Sequence, residues 1–332
     1  MKTSIIVLAL GLLTASYFIM TPSVDSVETE FQQFLGEYGR NYFSEHEYAM
    51  RLQVFRENYQ TIQRVNSEER SYTLGVNKFA DWTNQEYRNY LTYRESDKTG
   101  VEYATLKGQF DDEVDWRDSP TLNPIQDQGS CGSCYAFAAL AGIEHETYYF
   151  KPSLQKYSEQ QIVDCSRDYG NEGCNGGLMT NVYEYLRDFP ICIEQEYPYI
   201  GKESDSCAES SCVTVDDVIR KYAQIPENSA DALKEIATYS VPAIGIDAGS
   251  KEFQMYSSGV FDFEECTTNL NHAVAIVGYG HDADADKDFF IIRNSWTEGW
   301  GESGYMRIAI GNEDNGGTCG FLKDMSYIQY RC

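Results

Sequence analysis

At 332 residues, with 42% hydrophobic and 14% aromatic side chains, the chain has apolar mass for about two packed domains and is not a disordered polymer. Its 26 basic residues against 52 acidic ones leave a net charge of −26, which excludes nucleic-acid binding as the main activity. From Asp112 onward 15 basic residues face 37 acidic ones (15 − 37 = −22), an excess that serves solubility or fits an acidic compartment.

The chain opens with Met1-Lys2-Thr3-Ser4, one cation, and then runs apolar from Ile5 to Met20. That run is shorter than the about 20 residues a spanning helix needs, so residues 1–20 are expected to be a cleaved signal peptide. The expected route is the secretory pathway, ending in a lysosome, another acidic vacuole or the exterior, with no membrane attachment after cleavage. No Asn-x-Ser/Thr sequon occurs, so sorting by an N-glycan tag is excluded. Ten cysteines in such a chain read as a disulfide framework.

Next comes a polar, helix-rich segment. Glu47, Arg51, Phe55, Asn58, Ile62 and Asn66 recur at spacings of 4, 4, 3, 4 and 4, which keeps them on one face of a long helix. Gly75-Val76-Asn77-Lys78-Phe79-Ala80-Asp81 follows as a short turn or strand. The helix pattern resembles the ERFNIN signature of inhibitory prosegments in cathepsin L-type proteases. Gly75, Asn77, Phe79 and Asp81 match the accompanying GxNxFxD motif. The resemblance implies a small helical prodomain whose chain crosses the active-site cleft in the direction opposite to substrate. Residues 95–111 have the composition of a linker. Val114-Asp115-Trp116 resembles the start of the family's mature domain, which places maturation near Asp111 to Asp112. The expected domains are thus a signal over 1–20, a prosegment over 21–111 and a peptidase domain over 112–332.

The segment Gln128-Gly129-Ser130-Cys131-Gly132-Ser133-Cys134-Tyr135 passes from glycine-rich turn chemistry into a helix-like run, Ala138 to Tyr149. Cys134 then sits at a helix N-terminus, where free N–H groups and the positive dipole end favour a thiolate. Taken alone, Cys131-x2-Cys134 could also be a redox pair, half of a zinc site or two half-cystines. A βαβ context for the first is missing, and no second C-x2-C or H-x3-H pair supports the second.

A nucleophilic cysteine needs a base, and the chain has only four histidines. His46 lies in the prosegment. His145 lies on the same helix as Cys134, roughly 16 Å away at about 1.5 Å per residue. His281 falls in an acidic stretch, His281 to Asp288, expected to be a solvated hairpin turn between strands Ala273–Val277 and Phe289–Arg293. His272 remains, at the start of a strand. The separation 272 − 134 = 138 fits the family's spacing of about 130–150, while 294 − 134 = 160 for Asn294 slightly exceeds it.

The cysteine motif, together with Asn294-Ser295-Trp296 and Gly299-Trp300-Gly301, resembles the papain-like peptidases. The resemblance implies Cys134 as nucleophile, His272 as its proton partner and Asn294 as the group orienting the imidazole. Trp296 would shield that hydrogen bond, and Gln128 would supply an oxyanion-hole donor. It also implies disulfides Cys131–Cys174, Cys165–Cys207 and Cys266–Cys319. Cys192, Cys212 and Cys332 are left over, with Cys192–Cys212 bridged and Cys332 free as the expectation. Gly176 and Gly177 would bind substrate backbone. Leu178, Met179, Gly245, Leu270 and Ala273 would line the S2 pocket with Asp324 at its floor, admitting Arg as well as apolar P2 side chains.

The implied fold is α+β and two-lobed, a helical lobe facing a β-barrel-like lobe. The implied function is cysteine endopeptidase, made as a self-inhibited zymogen, with no metal or cofactor. Expected partners are peptide substrates, the chain's own prosegment and cystatin-type inhibitors, and the expected state is a monomer. No occluding His-His insertion of the cathepsin B kind is present. Two departures stand out: Tyr135 replaces the usual Trp, and Ala138 a common Ser. A catalytically dead binding protein on the same fold is the rival reading. Retention of Gln128, Cys134, His272 and Asn294 together argues against it.

Overall fold

The computed structural model describes residues 24–329 apart from 152, 217 and 218, so the expected signal peptide and Cys332 lie outside the described residues. The N-terminal part is helical: α1 (Val24–Glu37), α2 (Glu45–Asn66) and α3 (Asn84–Tyr90), with strand β1 (Tyr72–Leu74) between the last two. Helix α2 starts where the Ser44 side chain accepts the Glu47 N–H.

Five of the six positions of the α2 pattern have tertiary tasks, while Glu47 accepts the Phe43 N–H just before the helix. Phe55 and Ile62 are buried, and Phe55 packs on Phe31 and Phe34 with ring centroids 5.1 and 5.3 Å away. Arg51 bridges the Asp81 carbonyl and the Glu86 carboxylate at 2.9 and 2.8 Å. Asn58 donates to the carbonyls of Ala80 and Trp82, and Asn66 pairs with both main-chain polar groups of Leu74. The helix thereby fixes the loop that follows it.

That loop docks on the rest of the chain. Strand β1 pairs antiparallel with β7 (Tyr256–Phe261), and Gly75 N–H bonds to the Met255 carbonyl. Asn77 donates to the Gln254 carbonyl, and Phe79 lies edge-on to Trp296 at 5.0 Å. The prosegment's aromatic core and the core beneath the large sheet are therefore continuous.

The peptidase part contains β2 (Val114–Asp115), β3 (Ile191–Cys192), β4 (Thr214–Val215), β5 (Lys221–Gln224), β6 (Ala243–Ile246), β8 (His272–Asp282), β9 (Lys287–Arg293), β10 (Tyr305–Ala309) and β11 (Met325–Gln329). The main sheet runs β1-β7-β10-β9-β8-β6-β11-β5, with β2 added on β8 and only the β7–β10 pair parallel. It is an open path: its end strands β1 and β5 do not meet, so the expected barrel-like lobe is not a closed barrel. A register shift between Ile276 and Gly278 lets β2 pair there, where a Cβ on Gly278 would lie 2.2 Å from the Val114 carbonyl.

Helix α4 (Cys134–Tyr148) is buried from Cys134 to Thr147 and packs on β8, α5 (Glu159–Cys165) and α6 (Met179–Asp188). Small residues permit this; a Cβ on Gly142 would stand 2.6 Å from the Val241 carbonyl. The sheet's other face is covered by α7 (Ala230–Ala237), with the short α8 (Lys251–Gln254) near the prosegment.

The β8–β9 hairpin is longer than the sequence suggested. Its strands reach Asp282 and Lys287, so Asp282 and Asp288 belong to the ladder while Asp284 and Asp286 stay in the turn. His281 meets Asp288 across the strands at 2.8 Å, and Arg307 and Lys287 meet Asp282 and Asp262. These opposite charges let acidic residues occupy paired strand positions.

Among the described residues four disulfides occur: Cys131–Cys174, Cys165–Cys207, Cys192–Cys212 and Cys266–Cys319. Cys134 is the one free cysteine among the described residues.

Candidate active site

Cys134 is the first residue of α4, and His272 is the first of β8, so two elements from opposite lobes meet here. The backbone N–H groups of Ala273, next to His272, and of Tyr135 favour negative charge on the Cys134 sulfur. His272 Nε2 donates to Asn294 Oδ1 at 2.9 Å, leaving its buried Nδ1 without a hydrogen-bond partner. Asn294 Oδ1 also accepts the Ser295 N–H at 2.8 Å, which fixes the amide's orientation. Trp296 stacks on the imidazole, centroids 4.5 Å apart and planes 22° apart.

Gln128 is tied into the same cluster. Its Oε1 accepts from Ser295 Oγ (2.7 Å) and Trp296 Nε1 (3.1 Å), and its Nε2 donates to the Cys131 carbonyl (3.0 Å). The structure thus gathers the four expected catalytic residues and Trp296. His145 is elsewhere, bonded to Thr121 and packed on Trp116. His281 stays half exposed on the hairpin.

Burial works against charge on this pair. Burial pushes the Cys134 thiol up to about 12, outweighing the N–H groups that point at it, and pushes the His272 imidazole down to about 4. An ion pair is disfavoured by burial on both sides in this covered form.

The covering segment follows α3. Tyr90 is buried in front of the cluster, and the Thr92 hydroxyl donates to the Gly132 carbonyl at 3.0 Å. Thr92 lies so close to Gly176 that a Cβ there would meet its carbonyl oxygen at 2.4 Å. Tyr93 donates its N–H to the Asn271 carbonyl, and its ring fills the space over Gly245, where a Cβ would come within 2.6 Å. Leu270 Cδ1 would lie 3.1 Å from that same Cβ, and Ala273, Met179 and Leu178 belong to the same apolar cluster. Gly177 abuts Tyr135 and Asn171 rather than the covering chain.

At the floor, Asp324 is wholly buried, and among the described residues its carboxylate is bonded from the prosegment side: Tyr93 Oη at 2.7 Å, Ser96 N at 2.6 Å and Ser96 Oγ at 2.7 Å. Sequence reasoning missed Tyr93 and Ser96. No periodicity marks them, and only an aromatic twelve residues beyond Asp81 hinted at a plug.

The model of the papain family cysteine proteases matches residues 110–329. The chain belongs to the papain family of cysteine proteases. The cathepsin propeptide inhibitor domain (I29) matches residues 31–87, ending just before the covering segment. Among papain-family relatives, cathepsin L of Sarcophaga peregrina is 35% identical over 322 residues, covering 92% of this chain and 93% of that protein. The senescence-specific cysteine protease SAG12 of Arabidopsis thaliana is 38% identical, covering 89% and 88%. Among solved structures, the recombinant stem bromelain precursor superposes with TM-score 0.85 at 32% identity, covering 93% of this chain and all of that one (100%). Digestive procathepsin L 3 of Tenebrio molitor larval midgut gives TM-score 0.82 at 32% identity, covering 92% and 99%. This papain-family chain is a cathepsin L-type cysteine endopeptidase precursor that carries its own inhibitory prosegment.

Proposed function

We propose that Cys134 is the nucleophile of this endopeptidase and His272 its proton partner. In the uncovered enzyme the Cys134 thiolate attacks the scissile carbonyl carbon. His272 Nδ1, the nitrogen left open by the bond from Nε2 to Asn294, delivers its proton to the leaving amine. Water then attacks the acyl-enzyme, returning its proton to His272 and the sulfur to its thiolate. Asn294 orients the ring, Trp296 keeps water from that bond, and Gln128 Nε2 with the Cys134 N–H receives the oxyanion.

The carrying observation is the course of the covering segment: Tyr90, Thr92 and Tyr93 pass Cys134 and end in the pocket over Gly245. It supports Gly176 and Gly177 as the backbone-binding edge, and Leu178, Met179, Gly245, Leu270, Ala273 and Asp324 as the S2 walls and floor. With Tyr93 gone, the Asp324 carboxylate would accept Arg at P2 beside the apolar walls that accept Leu. Equal Arg-P2 turnover by wild type and Asp324→Ala would reject that role.

Residues 1–20 act as signal, 21–111 as prosegment and 112–332 as mature enzyme, monomeric and open to cystatin-type inhibitors. It works in a lysosome or another acidic vacuole, or outside the cell; among the described residues no helix is long and apolar enough to cross a membrane. The deciding experiment incubates wild-type and Cys134→Ala precursors at acid pH, following processing and epoxide labelling. Processing and labelling of wild type alone is expected; labelling of Cys134→Ala would refute the assignment.

A further inference from the structure

The two oxyanion donors come from positions six residues apart, Gln128 and Cys134. Their mutual position depends on the loop between them. Its middle is pinned: Cys131 is disulfide-bonded to Cys174, and Gly132 N–H bonds to the Cys174 carbonyl at 3.0 Å. Gln128 is held toward β9 by its N–H to the Ser295 carbonyl at 2.9 Å, but toward the helix its carbonyl accepts, besides a bond from Tyr199, a 3.3 Å bond from Cys131 N–H.

Tyr199 supplies the shorter tie. Its phenol donates to the Gln128 carbonyl at 2.8 Å and meets Ser133 Oγ at 2.6 Å. With the phenol hydrogen committed to Gln128, Ser133 must be the donor in the second bond, giving a directional chain from Ser133 through Tyr199 to Gln128. Ser133 is the residue before the nucleophile and the N-cap of α4, yet its hydroxyl makes no cap bond, and φ −100°, ψ 16° is not the extended backbone of a capping residue. Its hydroxyl serves Tyr199 instead. The phenol is itself held: the Tyr199 N–H donates to Glu194 Oε1 at 2.8 Å, and the ring meets Phe137 of α4 edge-on at 5.0 Å.

We propose that Tyr199 is a positioning residue of the oxyanion hole, locking the Gln128 main chain to the start of the Cys134 helix so that both donors keep one separation. The inference rests on Gln128 being an oxyanion donor. It adds a residue from a separate segment, Tyr197-Pro198-Tyr199, that touches no reacting atom. Losing one such donor outright costs about 10²–10³ in kcat, and misplacing it costs a fraction of that.

The test compares acid-activated Tyr199→Phe, Gln128→Ala and the double variant on peptide amides, together with the Ki of a peptide aldehyde, whose hemithioacetal oxygen occupies the hole. Tyr199→Phe is expected to lower kcat roughly 10-fold at unchanged KM and to weaken the aldehyde by a similar factor. The double variant should be no slower than Gln128→Ala, since Tyr199 acts through Gln128. If Tyr199→Phe does not fold, Ser133→Ala cuts the other arm of the same chain and should give a smaller loss confined to kcat. The proposal is overturned by kcat within twofold of wild type, or by losses that multiply in the double variant. Full kcat in Gln128→Ala would instead overturn the oxyanion reading of Gln128, and this inference with it.

Discussion

Replacing Tyr93 by Phe in the full precursor isolates one contact of the inhibited state. The ring stays in its pocket over Gly245, but Asp324 Oδ2 loses the 2.7 Å phenol bond and keeps only the Ser96 N–H. A hydrogen bond to a charged group contributes about 1.5–3 kcal/mol, more where the carboxylate stays buried, as Asp324 does in the closed form. The closed-to-open equilibrium should therefore shift by roughly 10- to 100-fold. The assay is covalent labelling of Cys134 in intact precursor by an uncharged peptidyl epoxide at one fixed pH. When reclosing outpaces labelling, the rate reports the open population. Tyr90→Phe is the control: Tyr90 is buried beside the same cluster, but its hydroxyl has no hydrogen-bond partner among the described residues. It should label no faster than wild type. A Tyr93→Phe rate within threefold of wild type, or an equal rise in Tyr90→Phe, would refute the reasoning.

In the Cys134→Ala precursor, where no thiol can hand its proton to the imidazole on opening, acidification should open the closed form through His272. Its pKa is about 4 when covered and about 6.5 once water reaches the ring, so the closed state binds fewer protons. The stability this gives closure is fully present above the ordinary value and is lost as pH falls toward the covered one. From pH 7 to 5 the shift is about 1.8 kcal/mol, or roughly 20-fold. Exchange protection of the Tyr93 amide, corrected for intrinsic chemistry, should fall accordingly, and equal protection at both pH values would count against it. Gly245→Ala places a methyl where the Tyr93 ring now lies, so kcat/KM for aromatic P2 peptides should drop about 10-fold; parallel assays with Val at P2 check that the loss is steric. Asn294→Ala leaves the His272 Nε2–H without its acceptor and should lower kcat by roughly 10-fold or more at similar KM, measured on one peptide amide.

The prosegment helix and the catalytic cluster were readable because each rests on short, patterned stretches. Arg51, Asn58 and Asn66 carry polar side chains on a buried-facing stripe, which an ordinary amphipathic helix would not spend there. Other features depend on partners far apart in the chain. Tyr93 and Ser96 meet Asp324 across 231 and 228 residues, and Tyr199 reaches Ser133 and Gln128 across 66 and 71. No local spacing encodes such meetings. The thiol's burial escaped the sequence for a related reason: the helix terminus is visible in it, whereas the desolvation that raises the Cys134 thiol exists only in the folded chain. The ends of the acidic hairpin were read as turn because the cations that meet them, Arg307 on β10 and Lys234 on α7, come from distant elements.

The aromatic contact between Phe79 and Trp296 has a consequence for lifetime. Phe79, Tyr87 and Tyr90 all pack around that indole, so the chain acquires its native shape with part of its hydrophobic interior on loan from a piece later discarded. Once the piece is gone, a molecule that unfolds must rebuild the sheet without it. Survival of the mature enzyme then depends on how slowly it comes apart, with little help from its capacity to re-form.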